Sequence, residues 1–297
     1  MFSRFFTAIR VAYVASQITA KHQLKPPPTL DYHHPIEQTL FDSLNGKSSG
    51  VFVHWGVYES GKSTAVREMA WRLQEEAGRQ VIVLHGYDFS WIKPMSTRLR
   101  RAIRIPEDIH EPLSKLFESK ATTLLIDNAD MLMHEKDNRD VETLQLVRDL
   151  IKESEQTKTF NVLLVVNSWE RAKELVDAGC ELVPSDTPAR WNRQQIESLF
   201  DTLPDEVKSG IGEKKSELLR LSTLSGTPGY LTFEAYGDKM SPNKMSRNYA
   251  AMHDLEWRKG TKALYEGSQL DTEGRFPDRN GVYHHEDLKA LSVPECF

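Results

Sequence analysis

Residues 50–64 read GVFVHWGVYESGKST, an apolar run followed by a loop with the spacing G-x-x-x-x-G-K-S. Gly56 and Gly61 mark the two ends of the spacing, and Lys62 and Ser63 follow the second glycine. The run before the loop is rich in β-forming residues, and apolar residues recur at helical spacing after it. A strand before and a helix after are the context in which this motif binds phosphate, so the stretch predicts a phosphate-binding P-loop.

The residue types in the loop suit the phosphates of a nucleotide. Glycines lack a Cβ and allow a tight turn that points successive backbone N–H groups inward at an anion. Lys62 supplies a mobile positive charge for the β- and γ-phosphates, and the Ser63 hydroxyl is placed to bind Mg²⁺. The predicted nucleotide-binding residues of the loop are Gly56, Val57, Tyr58, Glu59, Ser60, Gly61, Lys62, Ser63 and Thr64.

Strand-like apolar runs alternate with helix-like segments around this loop. The predicted strands are Val51–Trp55, Val81–His85, Thr122–Ile126, Asn161–Val166 and Glu181–Val183. The predicted helices are Pro35–Leu44, the P-loop helix up to Gly78, Ser96–Arg104, Glu111–Ser119, Asp140–Glu153 and Glu170–Ala178. This alternation predicts an α/β fold with a parallel five-stranded P-loop NTPase sheet and helices on both faces. Ligands of such sheets gather at the carboxyl ends of the strands.

The pattern changes after Pro184, where the segments become helical only. Asn192 and Gln195 have the spacing of a capping box that opens a helix over Arg193–Thr202, and a second helix is predicted over Lys214–Leu224. The sequence therefore predicts four parts. They are a basic amphipathic segment with a proline linker (1–28), the P-loop NTPase core (29–185), a small helical lid (186–235) and a polar tail (236–297).

The run LLIDNAD places Asp127 at the end of a predicted buried strand. A carboxylate there can help to hold Mg²⁺ opposite Ser63, although an aspartate in this position can also cap a helix. The next residue, Asn128, has an amide that orients water but does not accept its proton at neutral pH, so we expect slow hydrolysis. Asp130 is an alternative base or a helix cap.

Asn167 follows the strand-like run NVLLVV. A polar side chain at this strand end can hydrogen-bond the γ-phosphate or its attacking water. An asparagine there can equally begin a turn.

Together with the SGTPGYL run at 225–231, these residues resemble the AAA+ ATPases, and most closely their STAND branch with the archaeal-type ATPases. The resemblance covers about 35–235. It implies an ATPase that uses ATP and Mg²⁺, with a helical lid whose G-x-P proline contacts the nucleotide. The roles it implies are Walker A for Lys62 and Ser63, Walker B for Asp127, sensor 1 for Asn167, and G-x-P for Gly226 and Pro228.

The chain departs from the family pattern at two points. Asn128 occupies the position that is usually acidic, and no clear arginine finger precedes the last strand. Arg171, Arg190 and Arg193 are candidates for that finger or ordinary surface charges. The catalytic residues predicted from the motifs and the resemblance are Lys62, Asp127, Asn128 and Asn167.

Two functions follow as hypotheses. The first is an ATP-binding switch with slow hydrolysis, in which the nucleotide state changes the lid position, self-association or contact with a protein partner. The second is a hydrolysis-deficient nucleotide-binding adaptor tethered to a membrane or a partner, which Asn128 favours. A small-molecule kinase is a third class that uses P-loops, but the G-x-P-bearing helical extension argues against it.

Composition limits the partners. The net charge of -5 over 297 residues argues against a protein that coats nucleic acid. A local basic cluster remains, which either contacts phosphate backbones or an acidic partner, or is a solvated face. Its members are Arg98, Arg100, Arg101 and Arg104.

The first 30 residues contain four basic residues and no Asp or Glu. On a helical projection one face is apolar, which is typical of a transit peptide, of a helix on a membrane surface, or of an ordinary surface helix. We therefore expect a mitochondrial matrix or inner-membrane location, with the cytoplasm as the alternative. The apolar face consists of Phe2, Phe5, Phe6, Ile9 and Tyr13.

Overall fold

The computed structural model describes 10, 12–18, 21, 24, 36–46, 49–56, 60–86, 89, 94–133, 139–157, 159–183, 191–203, 205–225, 228 and 231. The chain forms two compact units. The first comprises Met1–Pro28, Glu37–Trp55 and Val66–Ser185. The second comprises Thr29–Ile36, Gly56–Ala65 and Asp186–Phe297, so it includes the P-loop.

The first unit is built on a parallel five-stranded sheet with the strand order β2-β3-β4-β1-β5. The predicted strands are confirmed, with ends that differ by one residue at most, and the predicted α/β fold of a P-loop NTPase is confirmed with them. The strands are β1 (Gly50–Trp55), β2 (Gln80–His85), β3 (Thr122–Asp127), β4 (Phe160–Val166) and β5 (Glu181–Leu182).

The central strands are apolar along their whole length because both of their faces are covered. Every residue of β3 and β4 is buried, as the continuous runs TTLLID and FNVLLVV require. The register pairs Trp55 with Val166, and Ile126 with Leu164. The carboxyl ends of β1, β3 and β4 therefore lie along one edge of the sheet.

The helices fill the crossovers between the strands. The chain runs from β1 to β2 toward one edge of the sheet and then returns across it, so right-handed crossovers require helices on both faces. The helices are α1 (Glu37–Gly46), α2 (Lys62–Glu75), α3 (Met95–Ile103), α4 (Leu113–Leu116), α5 (Arg139–Glu155), α6 (Trp169–Asp177), α7 (Arg193–Thr202), α8 (Asp205–Ile211) and α9 (Lys215–Ser225).

One predicted helix is shorter than expected, and one helix was not predicted. The helix predicted over Glu111–Ser119 is limited to α4, because Pro112 precedes its first turn and Phe117 already leaves the helical conformation. The sequence did not predict α8, which spans seven residues including Gly210 and is too short to show a helical period.

The described part of the second unit around 191–225 is helical, as predicted. Asn192 forms the predicted capping box, in which its side chain accepts from the Gln195 backbone and the Gln195 side chain accepts from the Asn192 backbone, both at 2.8 Å. We call its buried apolar residues the helical core. They are Trp191, Ile196, Phe200, Leu203, Ile211, Leu218 and Leu231.

The N-terminal segment contributes a helical stretch at 12–18 to the first unit. Val14 and Ile18 are buried, whereas Tyr13, the one described member of the predicted apolar face, is 63% exposed. The Leu24 N–H donates to the Gln74 side chain at 3.0 Å. In the described part of the chain, no helix is long and apolar enough to cross a membrane.

Several predictions fall outside the described residues. These concern 1–9, the proline linker, Arg190, Gly226 and the tail at 236–297.

Candidate functional site

The P-loop is described at Gly56 and at 60–64, whereas Val57, Tyr58 and Glu59 lie outside the described residues. Gly61 has φ +85, a left-handed conformation that favours glycine. The N–H groups of Thr64 and Ala65 both donate to the Gly61 carbonyl at 3.0 Å, so α2 begins directly on the loop. The N-terminal end of a helix carries a partial positive charge, so the start of α2 favours an anion at this point.

Lys62 lies folded back across the loop. Only 6% of it is exposed, and its Nζ is 3.5 Å from the Ser60 Oγ. A Cβ on Gly56 would lie 3.1 Å from the Lys62 Cδ and 3.2 Å from the Ser60 Oγ. The glycine at the start of the loop therefore leaves the room in which the lysine stem lies.

Asp127 ends β3 with its side chain buried. One carboxylate oxygen accepts a hydrogen bond from the Asn128 N–H at 3.0 Å. The other lies 3.6 Å from Nδ1 of His85, which ends β2 opposite Asp127 in the register and has a side chain 36% exposed. His85 was not predicted as a site residue, although its place at the end of an apolar strand was a usable signal.

Asn128 turns the chain sharply after β3. Its φ of 54 and ψ of 45 are left-handed, a conformation that asparagine tolerates better than most residues. A Cβ on Gly86 would lie 2.2 Å from the Asn128 carbonyl oxygen. The turn that follows β2 thus needs a glycine, because it passes directly against the turn that follows β3.

Asp130 and the two strand-end asparagines form one hydrogen-bonded cluster. The Asn167 N–H donates to both Asp130 carboxylate oxygens at 2.9 Å. The Asn167 Nδ2 donates to Asp130 at 2.7 Å and to the Asn128 Oδ1 at 3.1 Å. Asp130 lies in a short 3-10 helix at Ala129–Leu132, and its role as a base or as a cap of the next helix stays a prediction.

The hydrogen bonds of this cluster determine which polar atoms the two asparagine amides present to a further group. The Asn167 Nδ2 has two hydrogens, and it gives both to side chains of the cluster. Asn128 thus presents an NH₂ donor and Asn167 an oxygen acceptor to any further group. Such a pair can orient a water molecule, but neither amide can take up its proton.

The residues predicted to bind magnesium suit that ion chemically. The Ser63 hydroxyl and the Asp127 carboxylate are hard oxygen donors, and Mg²⁺ is usually held by one or two such side chains together with phosphates and water. Within the described residues, no group of three or more His, Cys, Asp or Glu side chains is arranged to hold a metal ion.

The candidate arginine fingers that are described both pair within their own helices. Arg171 contacts Glu174 and Arg193 contacts Glu197, each at 2.8 Å. In the second unit, Pro228 of the G-x-P motif is buried. Its contact with a nucleotide stays a prediction.

The arginine cluster of α3 is not a continuous solvated face. Arg98 is buried, and the Arg100 guanidinium donates to the backbone carbonyls of Ile109 and Glu111. Burial lowers the pKa of Arg100, which lies far above neutral in an exposed arginine. Arg101 pairs with Glu107 at 2.6 Å. Two of the four arginines, Arg100 and Arg101, thus have polar partners within the first unit.

No protein-family model and no curated protein matches the chain. Among solved structures, it is similar to the Walker-type ATPase of Pyrococcus abyssi, with 12% identity, 91% of each chain covered and a TM-score of 0.45. It is also similar to the ORC2 protein of Aeropyrum pernix, with 15% identity, 80% of this chain and 71% of that chain covered, and a TM-score of 0.42. Domain III of the replication initiation protein DnaA of Thermotoga maritima is 13% identical over 78% of this chain and 98% of that one, with a TM-score of 0.40.

Proposed function

We propose that the chain binds ATP with Mg²⁺ at its P-loop and hydrolyses it slowly, and that the nucleotide state acts as a switch. The conformation of the loop carries the proposal. Gly61 lies in a left-handed conformation, α2 starts on it, and the buried Lys62 folds across the loop beside Ser60. This is the arrangement that a phosphate group requires from backbone N–H groups and one mobile cation.

Each residue of the site has a proposed role in nucleotide binding or hydrolysis. The loop N–H groups and Lys62 bind the β- and γ-phosphates. The Ser63 hydroxyl and the Asp127 carboxylate would hold Mg²⁺, which neutralises phosphate charge when bound. The NH₂ group of Asn128 and the oxygen of Asn167 would orient the water that attacks the γ-phosphate.

Slow turnover follows from the same cluster. Asn128 has no carboxylate, and the carboxylate of Asp130 already accepts three hydrogen bonds from Asn167. These side chains support orientation of a water molecule better than removal of its proton. The same observation favours the second candidate function, a nucleotide-binding adaptor without hydrolysis.

Isothermal calorimetry with ATP and Mg²⁺ tests the proposal. We expect binding by the wild type and its loss in Lys62→Ala, because the variant lacks the only mobile cation that the motif supplies to the phosphates. Lys173→Ala, which removes an exposed lysine from α6, is the matched control and should bind ATP as the wild type does. Absence of binding by the wild type would refute the proposal.

Phosphate release then separates the two candidate functions. Slow release above the level of Lys62→Ala supports the switch with hydrolysis. Binding with release equal to that variant supports the adaptor.

A further inference from the structure

A tryptophan of the helical core donates a hydrogen bond to the backbone of the P-loop. The Trp191 Nε1–H donates to the backbone carbonyl of Ser60 at 2.9 Å, and 131 residues separate the two along the chain. Both residues belong to the second unit, and each is only 3% exposed. This contact was not predicted from the sequence, since a tryptophan at this position predicts only core packing.

The geometry of the peptide bond gives this contact a consequence for phosphate binding. The peptide that joins Ser60 to Gly61 is planar and trans, so its carbonyl and its N–H point in opposite directions. A donor that fixes the Ser60 carbonyl therefore also fixes the direction of the Gly61 N–H. Glycine has more conformational freedom than any other residue type. A restraint from outside the loop therefore has its largest effect at the peptide next to Gly61.

The donor itself is rigid. Trp191 packs in the helical core with Ile196 and Phe200, and it directly precedes Asn192, whose capping box fixes the start of α7. A buried indole in such surroundings has few alternative rotamers. Its N–H would lose its partner if the loop turned the Ser60 carbonyl away, and an unsatisfied buried donor is unfavourable.

We propose that Trp191 is a positioning residue for nucleotide binding: its indole N–H holds the Ser60–Gly61 peptide with the Gly61 N–H turned toward the phosphates, and so couples the P-loop to the helical core. The inference rests on the proposed ATP binding and adds to it the path by which the nucleotide affects the helical residues. Because coupling is reciprocal, bound nucleotide also stabilises the helical core.

The test replaces Trp191 in the full chain by 3-benzothienylalanine, in which sulfur takes the place of the N–H while ring size and shape stay nearly the same. Trp191→Phe is the second variant. Loss of one hydrogen bond of ordinary strength corresponds to about a fivefold to tenfold rise in Kd, and we expect this for both ATP and ADP in calorimetry. Hydrogen exchange should show that ATP protects α7 and α9 in the wild type and protects them less in both variants.

Ile196→Val is the matched control because it removes one methylene from the same buried core and leaves the Trp191 indole N–H in place. It should lower Tm without ATP and leave the Kd for ATP unchanged. Wild-type affinity in the benzothienylalanine protein, or an equal loss of affinity in Ile196→Val, overturns the role of Trp191. If the wild type itself binds no ATP, the proposed function is refuted, and the role of Trp191 is refuted with it.

Discussion

At the scale of single residues, the site differs most from the predicted family pattern at Asn128. The residue has a left-handed backbone, donates its N–H to Asp127 and accepts from Asn167 through its side chain. Each of these roles suits asparagine, which tolerates this conformation and has both a donor and an acceptor. The same features predict a site that orients water without activating it.

Asn128→Glu should speed hydrolysis. A glutamate supplies the missing proton acceptor, and general-base catalysis by a placed carboxylate contributes about a hundredfold or more when its geometry is right. Allowing for imperfect placement, we expect phosphate release to rise about tenfold or more, together with a loss of stability of about 1 kcal/mol from the left-handed backbone. Asn128→Gln keeps the backbone cost but adds no carboxylate, so it is the control. Equal rates in the two variants would exclude a missing base as the cause of slow turnover.

At the scale of elements, one arginine joins two helices. Arg72 of α2 donates to both carboxylate oxygens of Glu37 in α1, at 2.8 and 3.0 Å, and also pairs with Glu76. Its guanidinium lies 4.1 Å from the ring centroid of Phe41. Glu37 is buried, and its carboxylate is paired with Arg72 across the contact between α1 and α2.

Arg72→Ala should destabilise the protein by about 3 kcal/mol, since it leaves a buried carboxylate unpaired. Urea unfolding of the full chain measures this change. Arg193→Ala breaks the exposed pair with Glu197 and should cost no more than about 0.5 kcal/mol. A similar small loss in both variants would show that Arg72 does not join α1 to α2 in solution.

The effect of Arg72→Ala should also depend on pH. The hydrogen bond from Arg72 lowers the pKa of Glu76 below its usual value of 4.5. The stabilisation from this pair is therefore complete above that value and is lost as the pH falls through the lowered pKa. The difference in the free energy of unfolding between the wild type and Arg72→Ala should accordingly become smaller as the pH falls through the lowered pKa of Glu76.

At the scale of the whole molecule, the N-terminal segment has a structural role. Its composition is also typical of targeting peptides, and the predicted location stays a prediction. In the structure, however, Val14, Ala15 and Ile18 are buried, and the backbone at Leu24 bonds to the side chain of Gln74. One side of the helical stretch at 12–18 is thus packed within the first unit.

Ile18→Ala should then destabilise the protein by about 2–4 kcal/mol, the usual cost of removing a buried isoleucine side chain. Tyr13→Ala on the same helical stretch is the control and should change stability by no more than about 0.5 kcal/mol, because Tyr13 is exposed. Equal and small changes in urea unfolding would mean that this segment does not contribute to the folded unit.

The sequence by itself determined the α/β class, the five strands, the position of the P-loop and the capping box of α7. These features are encoded locally: buried strands need continuous apolar runs, and the loop and the cap need particular residues at fixed spacing. It also determined which side chains stand at the strand ends, because each directly follows an apolar run. From the sequence, the function of a residue such as Asn128 could be stated only as a hypothesis.

The tertiary structure alone decided the strand order, the use of Asp130 to hold Asn167, the burial of Arg98 in α3 and the bond from Trp191 to Ser60. Each of these depends on groups that lie far apart in the chain, and no local pattern specifies which of them meet. A donor and an acceptor separated by 131 residues leave no periodic signal, so their pairing is determined only when the chain packs.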